Sequence, residues 1–179
     1  MNIAPDRLAP LQFSPMDESA ARAISNWRYE APYEVYSMDR EDADQLVSAF
    51  LKPEYAYHAI IDRAGALAGY CCFGADAQVP GGDYDNPALD VGLGVRPDIT
   101  GQGLGATFVS AVLRFARQEM TPTEFRITVA EFNKRALRVW QKAGFQPVQR
   151  FERTVDGMPF VILTMDAGHG HPQQAGAVE

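Results

Sequence analysis

The sequence predicts a mixed α/β (α+β) fold in which hairpins early and late flank one short β-α-β stretch. Three observations carry this expectation. The hydrophobic pattern switches repeatedly between a period near 3.6 and a period of 2. Strand-like runs come as hairpins towards both ends, around "DRAG" and around "DGMP". Only the middle of the chain, from "ALDVGLGV" to "EFRITVA", has the strand-helix-strand order that a parallel pair requires.

The elements follow in order. "LQFSPM" reads as a short first strand, and the helix over about 17–27 opens on Asp17 and Glu18, which suit the positive end of its dipole. An aromatic segment, "WRYEAPYEVYSMD", is broken by Pro32. A second helix over about 40–51 carries Leu46, Val47 and Phe50 on one side and stops before Pro53. "YAYHAIIDRAGALAGYCCFGA" is a hairpin, and a loop containing "QVPGGDYDNP" leads to the strand "ALDVGLGV". Over 103–120, Leu104, Phe108, Ala111, Val112 and Phe115 form one apolar stripe at helical spacing. "EFRITVA" alternates Ile127 and Val129 against Arg126 and Thr128. A helix over about 133–143 turns Ala136, Leu137, Val139 and Trp140 inward and ends at Gly144, while "FQPVQRFER" and "FVILTMD" close the chain as a hairpin.

Composition narrows the function classes. The 179 residues suit one domain with a full core, and no apolar run nears the roughly 18 residues that span a bilayer. A net charge of −7 without a basic cluster disfavours nucleic acid. The two cysteines are adjacent, Cys71 and Cys72, and on a strand they point to opposite faces. The N-terminus lacks the pattern of a signal peptide, so the expected location is cytoplasmic, with no membrane partner. His169 and His171 have no cysteine or carboxylate beside them, and no metal site is expected. Residues 1–10 are expected to be a loose lead-in, and His58 a structural histidine.

The stretch "LDVGLGVRPDITGQGLGATFV" crowds five glycines into a strand-to-helix turn. Glycines at 101, 103 and 105 let the backbone approach phosphate oxygens, and free N–H groups at the helix start favour an anion. A Walker A loop is excluded, since no Gly-Lys-Ser/Thr follows. A dinucleotide fingerprint is nominally met by Gly101, Gly103 and Ala106, with Glu131 as its acidic residue. That reading needs several further β-α-β crossovers, and the remaining chain supplies one helix and a hairpin.

"VRPDITGQGLG" followed by an amphipathic helix, a strand and then "NKRALRVWQKAGF" resembles the acyl-CoA-binding half of the GNAT superfamily of N-acyltransferases. The family's Arg/Gln-x-x-Gly-x-Gly/Ala loop falls on Gly103 and Gly105, with Thr100 in the Arg/Gln position. Its second block falls on Asn133, Ala136, Trp140, Lys142, Gly144 and Phe145. The resemblance implies a mostly antiparallel sheet of six to seven strands flanked by helices on both faces, a single acyl-CoA N-acyltransferase domain over 1–166, and acetyl transfer from acetyl-CoA to an amine in a ternary complex; residues 167–179, without periodicity and with few apolar groups, are expected to be a disordered tail. It implies a cofactor site at Leu93, Gly94 and Val95, at Gly101, Gln102, Gly103, Leu104, Gly105 and Ala106, and at Asn133 and Trp140. Freed backbone groups at Leu93 and Val95 would pair with pantetheine, as an added strand would.

Asp90 stands where many members carry a general base, and the alternative is a paired or solvated structural carboxylate; Glu30 and Glu34 are lesser candidates. Trp140 replaces the tyrosine that usually protonates the leaving thiolate, which leaves Tyr84 as a substitute donor. Trp27, Tyr29, Tyr33 and Tyr36 fall where the family builds the acceptor wall. The expected partner is a small-molecule or peptide amine, and the family's frequent homodimer is a further option. A GNAT-fold module that senses acyl-CoA without turnover is the opposing function class.

Overall fold

Local side-chain chemistry starts and stops the elements. The computed structural model describes residues 8–37 and 42–168. Strand β1 (Gln12–Pro15) is followed by helix α1 (Glu18–Ser25), capped by Asp17, whose carboxylate accepts the Ala20 N–H at 2.7 Å. Helix α2 (Ala43–Phe50) starts on Asp42, which accepts from the Asp44 N–H. Strands β2 (His58–Ile61) and β3 (Leu67–Phe73) form the expected hairpin. Its turn is held by Asp62, whose Oδ1 accepts the N–H groups of Ala64 and Ala66. Then come β4 (Leu89–Val95), α3 (Gly105–Met120), β5 (Glu124–Ala130), α4 (Lys134–Lys142), β6 (Gln146–Glu152) and β7 (Pro159–Asp166). Gly144 ends α4 with φ +108°, a conformation that favours glycine.

The seven strands form one sheet in the order β1-β2-β3-β4-β5-β7-β6. Every neighbouring pair is antiparallel except β4 with β5. One parallel pair is too few for a doubly wound domain, so the dinucleotide reading of the glycine turn falls. Glu131, its acidic residue, instead pairs with Arg150 at 2.7 Å on the surface.

Alternation along the strands divides the core in two. Cys71, Phe73, Val91, Phe125, Ile127 and Leu163 pack with Phe108 and Val112 of α3 and Trp140 of α4. Residues such as Tyr70, adjacent on the strand and therefore on the other face, pack with Ala21 and Ile24 of α1 and Val47 and Phe50 of α2. Helices thus cover both faces. Each large side chain buried this way contributes on the order of 1.5–3 kcal/mol.

Both ends are more tightly held than the sequence predicts. Leu8 is buried in the larger cluster and its carbonyl accepts the Arg63 N–H, so the lead-in is docked from residue 8. At the other end Ala167 is buried and accepts a hydrogen bond from Arg117 Nε at 2.9 Å, which carries the ordered domain past residue 166. Of the expected tail over 167–179, residues 169–179, with His169 and His171, lie outside the described residues. No helix among the described residues is long and apolar enough to cross a membrane. His58 is structural: its Nδ1 lies 2.8 Å from the Ala56 carbonyl and its ring packs edge-on against Phe115.

Candidate active site

The parallel pair between β4 and β5 is short. It comprises only Leu89 with Phe125 and Asp90 with Arg126, after which the strands part. Two backbone bonds fix what faces the gap. Gly74 N–H donates to the Asp90 carbonyl at 3.0 Å, and Arg96 N–H donates to the Ala68 carbonyl at 2.9 Å. The even-numbered residues of β4 therefore bond towards β3, and Val91, Leu93 and Val95 turn their N–H and C=O groups towards the gap. The Tyr29 hydroxyl donates to the Val95 carbonyl at 2.9 Å, so that acceptor is already engaged.

Side chains explain the glycines of β4. A Cβ on Gly92 would lie 2.5 Å from Cys72 Sγ, and one on Gly94 would lie 2.2–2.8 Å from the Tyr70 ring. These two glycines make room for the protein's own side chains rather than for a ligand on that face. Cys72 and Tyr70 can then sit against the strand that borders the gap.

The turn after β4 divides its three glycines by role. Gly101 and Gly103 have φ of +75° and +82°, and a Cβ at Gly103 would meet nothing within 4 Å. A Cβ at Gly105 would lie 2.9 Å from Val139, so this glycine permits close packing of α3 on α4. Helix α3 begins without a side-chain cap, which leaves its first-turn N–H groups, through Ala106, facing outward from Leu104 and the turn. The Gln102 amide reaches back to the Asp98 carbonyl at 2.8 Å. Gly101 also lies beside Arg135 of α4: a Cβ there would lie 2.8 Å from Nη1.

A cavity of about 470 Å³ runs from this turn through the gap. Leu93, Gly94, Val95, Gly101, Leu104, Gly105, Asn133 and Trp140 of the expected cofactor site all line it. Asn133 caps α4 by accepting the Ala136 N–H at 3.1 Å and donates from Nδ2 to the Tyr36 hydroxyl at 3.2 Å. Tyr29, Tyr33 and Tyr36 line the same cavity. Tyr36 stacks on Phe132, and burial raises the phenols of both Tyr29 and Tyr36 above their ordinary range. Trp27 is absent from the wall. Its ring packs 6.0 Å from that of Tyr70 in the cluster beneath α1 and α2, a core position.

Asp90 takes the paired alternative. It is 3% exposed, and its two oxygens accept from Arg126 Nε at 2.6 Å and Nη2 at 2.8 Å, with Gln78 Nε2 adding a third bond at 2.8 Å. The carboxylate is committed to a guanidinium partner that is itself 4% exposed, and Asp90 does not line the cavity. Tyr84 is equally engaged: its hydroxyl accepts the Val79 N–H and bonds Thr128, and its ring lies under Arg126. Glu30 borders a neighbouring cavity and Glu34 neither of the two.

The charged residues that do line the cavity are ones sequence reasoning passed over. They are Asp76, Arg135 and Arg153. Asp76 sits on a short turn over Ala75–Ala77 after β3, and its carboxylate accepts a short hydrogen bond from the Tyr57 hydroxyl. Arg135 stacks over Tyr33 at 4.0 Å, and Arg153 is engaged by Asp156. Tyr57 and Tyr70 line the floor. Their facing was accessible from the hairpin's alternation, whereas nothing periodic marks Asp76 or Arg135. Among the described residues no group of three or more His, Cys, Asp or Glu could hold a metal.

Comparison with known proteins agrees with this architecture. Residues 20–145 match the acetyltransferase (GNAT) family. A Bacillus subtilis (strain 168) protein named as a ribosomal protein bS18-alanine N-acetyltransferase is 25% identical over 134 residues, 70% of this chain and 81% of that protein. A spermidine N-acetyltransferase chimera from Vibrio cholerae and hSSAT superposes with a TM-score of 0.72 at 15% identity, covering 89% of this chain and 97% of that one. An acetyltransferase of the GNAT family from Bacillus anthracis gives 0.69 at 14% identity, covering 90% and 97%. YncA of Salmonella typhimurium, solved with its cofactor acetyl-CoA, gives 0.61 at 15% identity, covering 93% and 99%. The chain, with its parted central strands and glycine turn, belongs to the GNAT acetyltransferase family and is an acetyl-CoA-dependent N-acetyltransferase.

Proposed function

We propose that this protein transfers the acetyl group of acetyl-CoA to a primary amine by direct attack, with both substrates held in the one cavity. The single observation that carries this is the gap beside β4, where Leu93 and Val95 present backbone groups at the foot of an anion-binding turn. The residues present fit the donor. Gly101 and Gly103 hold a positive-φ turn with open space at Gly103, and the uncapped start of α3 offers N–H groups and a positive dipole end to a pyrophosphate. The Leu93 groups and the Val95 N–H suit the amide arm of pantetheine, which would lie along β4 as an added strand.

Bound acetyl-CoA supplies the acetyl thioester. The residues around it then have distinct tasks. A backbone N–H facing the gap stabilises the negative charge that develops on the thioester oxygen. The acceptor nitrogen, protonated in water, must lose one proton to attack and a second once the C–N bond has formed and the C–S bond has broken. One of these two protons ends on the departing sulfur. No tyrosine stands at position 140, but a thiol of pKa near 8.5 can depart as thiolate, so the reaction does not require one. The Tyr36 hydroxyl accepts from Asn133 and keeps its own proton to donate into the cavity.

Gly103→Glu tests the donor site. A Cβ at Gly103 meets nothing within 4 Å, and the backbone cost of φ +82°, about 1–2 kcal/mol, is shared by Gly103→Ala. The glutamate should weaken acetyl-CoA binding about 100-fold in calorimetric titration, on the order of 2–3 kcal/mol, and the alanine far less. Equal affinities for the two variants would remove the phosphate assignment.

A further inference from the structure

The cavity is electrically polarised along its length. At one end are the start of α3, Gly101 and the Arg135 guanidinium, a positive mouth suited to phosphate. At the other are Asp76 and Tyr57, on the α1 and α2 side of the sheet. Between them lie the gap and the tyrosines. Asp76 is the sole carboxylate among the described residues that line this space, and Tyr57 fixes one of its oxygens. The floor beside it is made of the Cys72 thiol and the Tyr70 ring, which the glycines of β4 admit. A carboxylate held against aromatic rings binds an ammonium through both charge and the faces of the rings.

The same wall disfavours a second positive charge. Besides Asp76, the charged residues lining the cavity are Arg135 and Arg153. Arg153 is bonded by Asp156, with Nε–Oδ1 at 2.9 Å, while Arg135 meets the Tyr33 ring. An acceptor carrying several ammonium groups would satisfy one at Asp76 and find no second carboxylate among the described residues that line the cavity. A second ammonium that gives up part of its hydration there gains no counter-charge in return.

We propose that Asp76, oriented by Tyr57, is the acceptor-binding residue, and that the acceptor is a primary amine bearing one positive charge next to an apolar or aromatic group, not a polyamine. This rests on the N-acetyl transfer reading above. Two sources share that chemistry, a free arylalkylamine and the N-terminus of a peptide that begins with a small apolar residue. The cavity volume of about 470 Å³ admits the reacting end of either.

The test measures thiol release by the full chain with acetyl-CoA and, as acceptors, 2-phenylethylamine, a peptide beginning with alanine, and spermidine. Either monocationic acceptor should exceed spermidine at least about tenfold in kcat/KM, and the better one identifies the source. Asp76→Asn should raise KM for that acceptor about 10- to 100-fold, with kcat changed by less than a few-fold and acetyl-CoA affinity unchanged by calorimetry. Asp76→Glu should recover part of the KM, and Tyr57→Phe should show a smaller rise. Spermidine as the best acceptor, no turnover of either monocationic acceptor, or an unchanged KM in Asp76→Asn would each overturn the proposal. Failure of the wild-type protein to bind acetyl-CoA would instead overturn the donor site on which it rests, and calorimetry reads that separately.

Discussion

Arg135 is the residue whose surroundings say most for its size. Its guanidinium lies 4.0 Å from the centroid of the Tyr33 ring, beside Gly101, and the aromatic contact holds the cation at the lip of the glycine turn. Arg135→Met keeps most of the stem that covers Tyr33 and removes the charge. Acetyl-CoA affinity should fall about tenfold, as for one exposed charge-assisted bond, while binding of S-acetylpantetheine, which lacks the pyrophosphate, should not change. A loss of equal size with both donors would mean that Arg135 shapes the wall and touches no phosphate. Sequence reading assigned Arg135 no role, because one arginine on an amphipathic helix looks like any solvated cation. Its meaning comes from Gly101 and Tyr33, which approach it from two other parts of the chain.

At the scale of the element, β4 shows most clearly what one sequence discloses. Its glycines, its alternation and the turn beyond it were legible because strand period and backbone chemistry are local. Asp90 was not, because its role depends on Arg126, 36 residues away and its register partner at the last pair before the strands part. The ion pair closes the hinge of the gap. Asp90→Asn leaves the Arg126 charge buried without its counterion, a loss of about 3–5 kcal/mol. For a domain of this size that corresponds to a fall in Tm of roughly 10 °C in a thermal scan. The variant that remains folded should keep the pH-rate profile of the parent protein. An unchanged Tm with a lost limb of that profile would return Asp90 to the chemistry.

The whole molecule follows the same division. Strand and helix periods, the two hairpins and the single crossover were enough to predict a mixed α/β order, and the resemblance to the GNAT superfamily added the mostly antiparallel sheet with helices on both faces. The end of the cavity that holds Asp76 is assembled from the aromatic segment, the residue before β2 and the turn after β3, and no local pattern marks that these would meet. Acetyl-CoA should stabilise this assembly at both halves of the sheet at once. At 100 times its dissociation constant it should add about 2.7 kcal/mol, a rise in Tm of about 5–10 °C that Gly103→Glu should lose. A wild-type Tm insensitive to acetyl-CoA would contradict donor binding to the folded state.

The parted strands have a meaning beyond catalysis. Only two residues of β4 pair with β5, and the donor that we propose to lie along Leu93 and Val95 would supply to folding part of what a paired strand does. If acetyl-CoA binds there as proposed, it should also slow cleavage of the folded chain by a protease, because a ligand of the folded state lowers the population of the opened one.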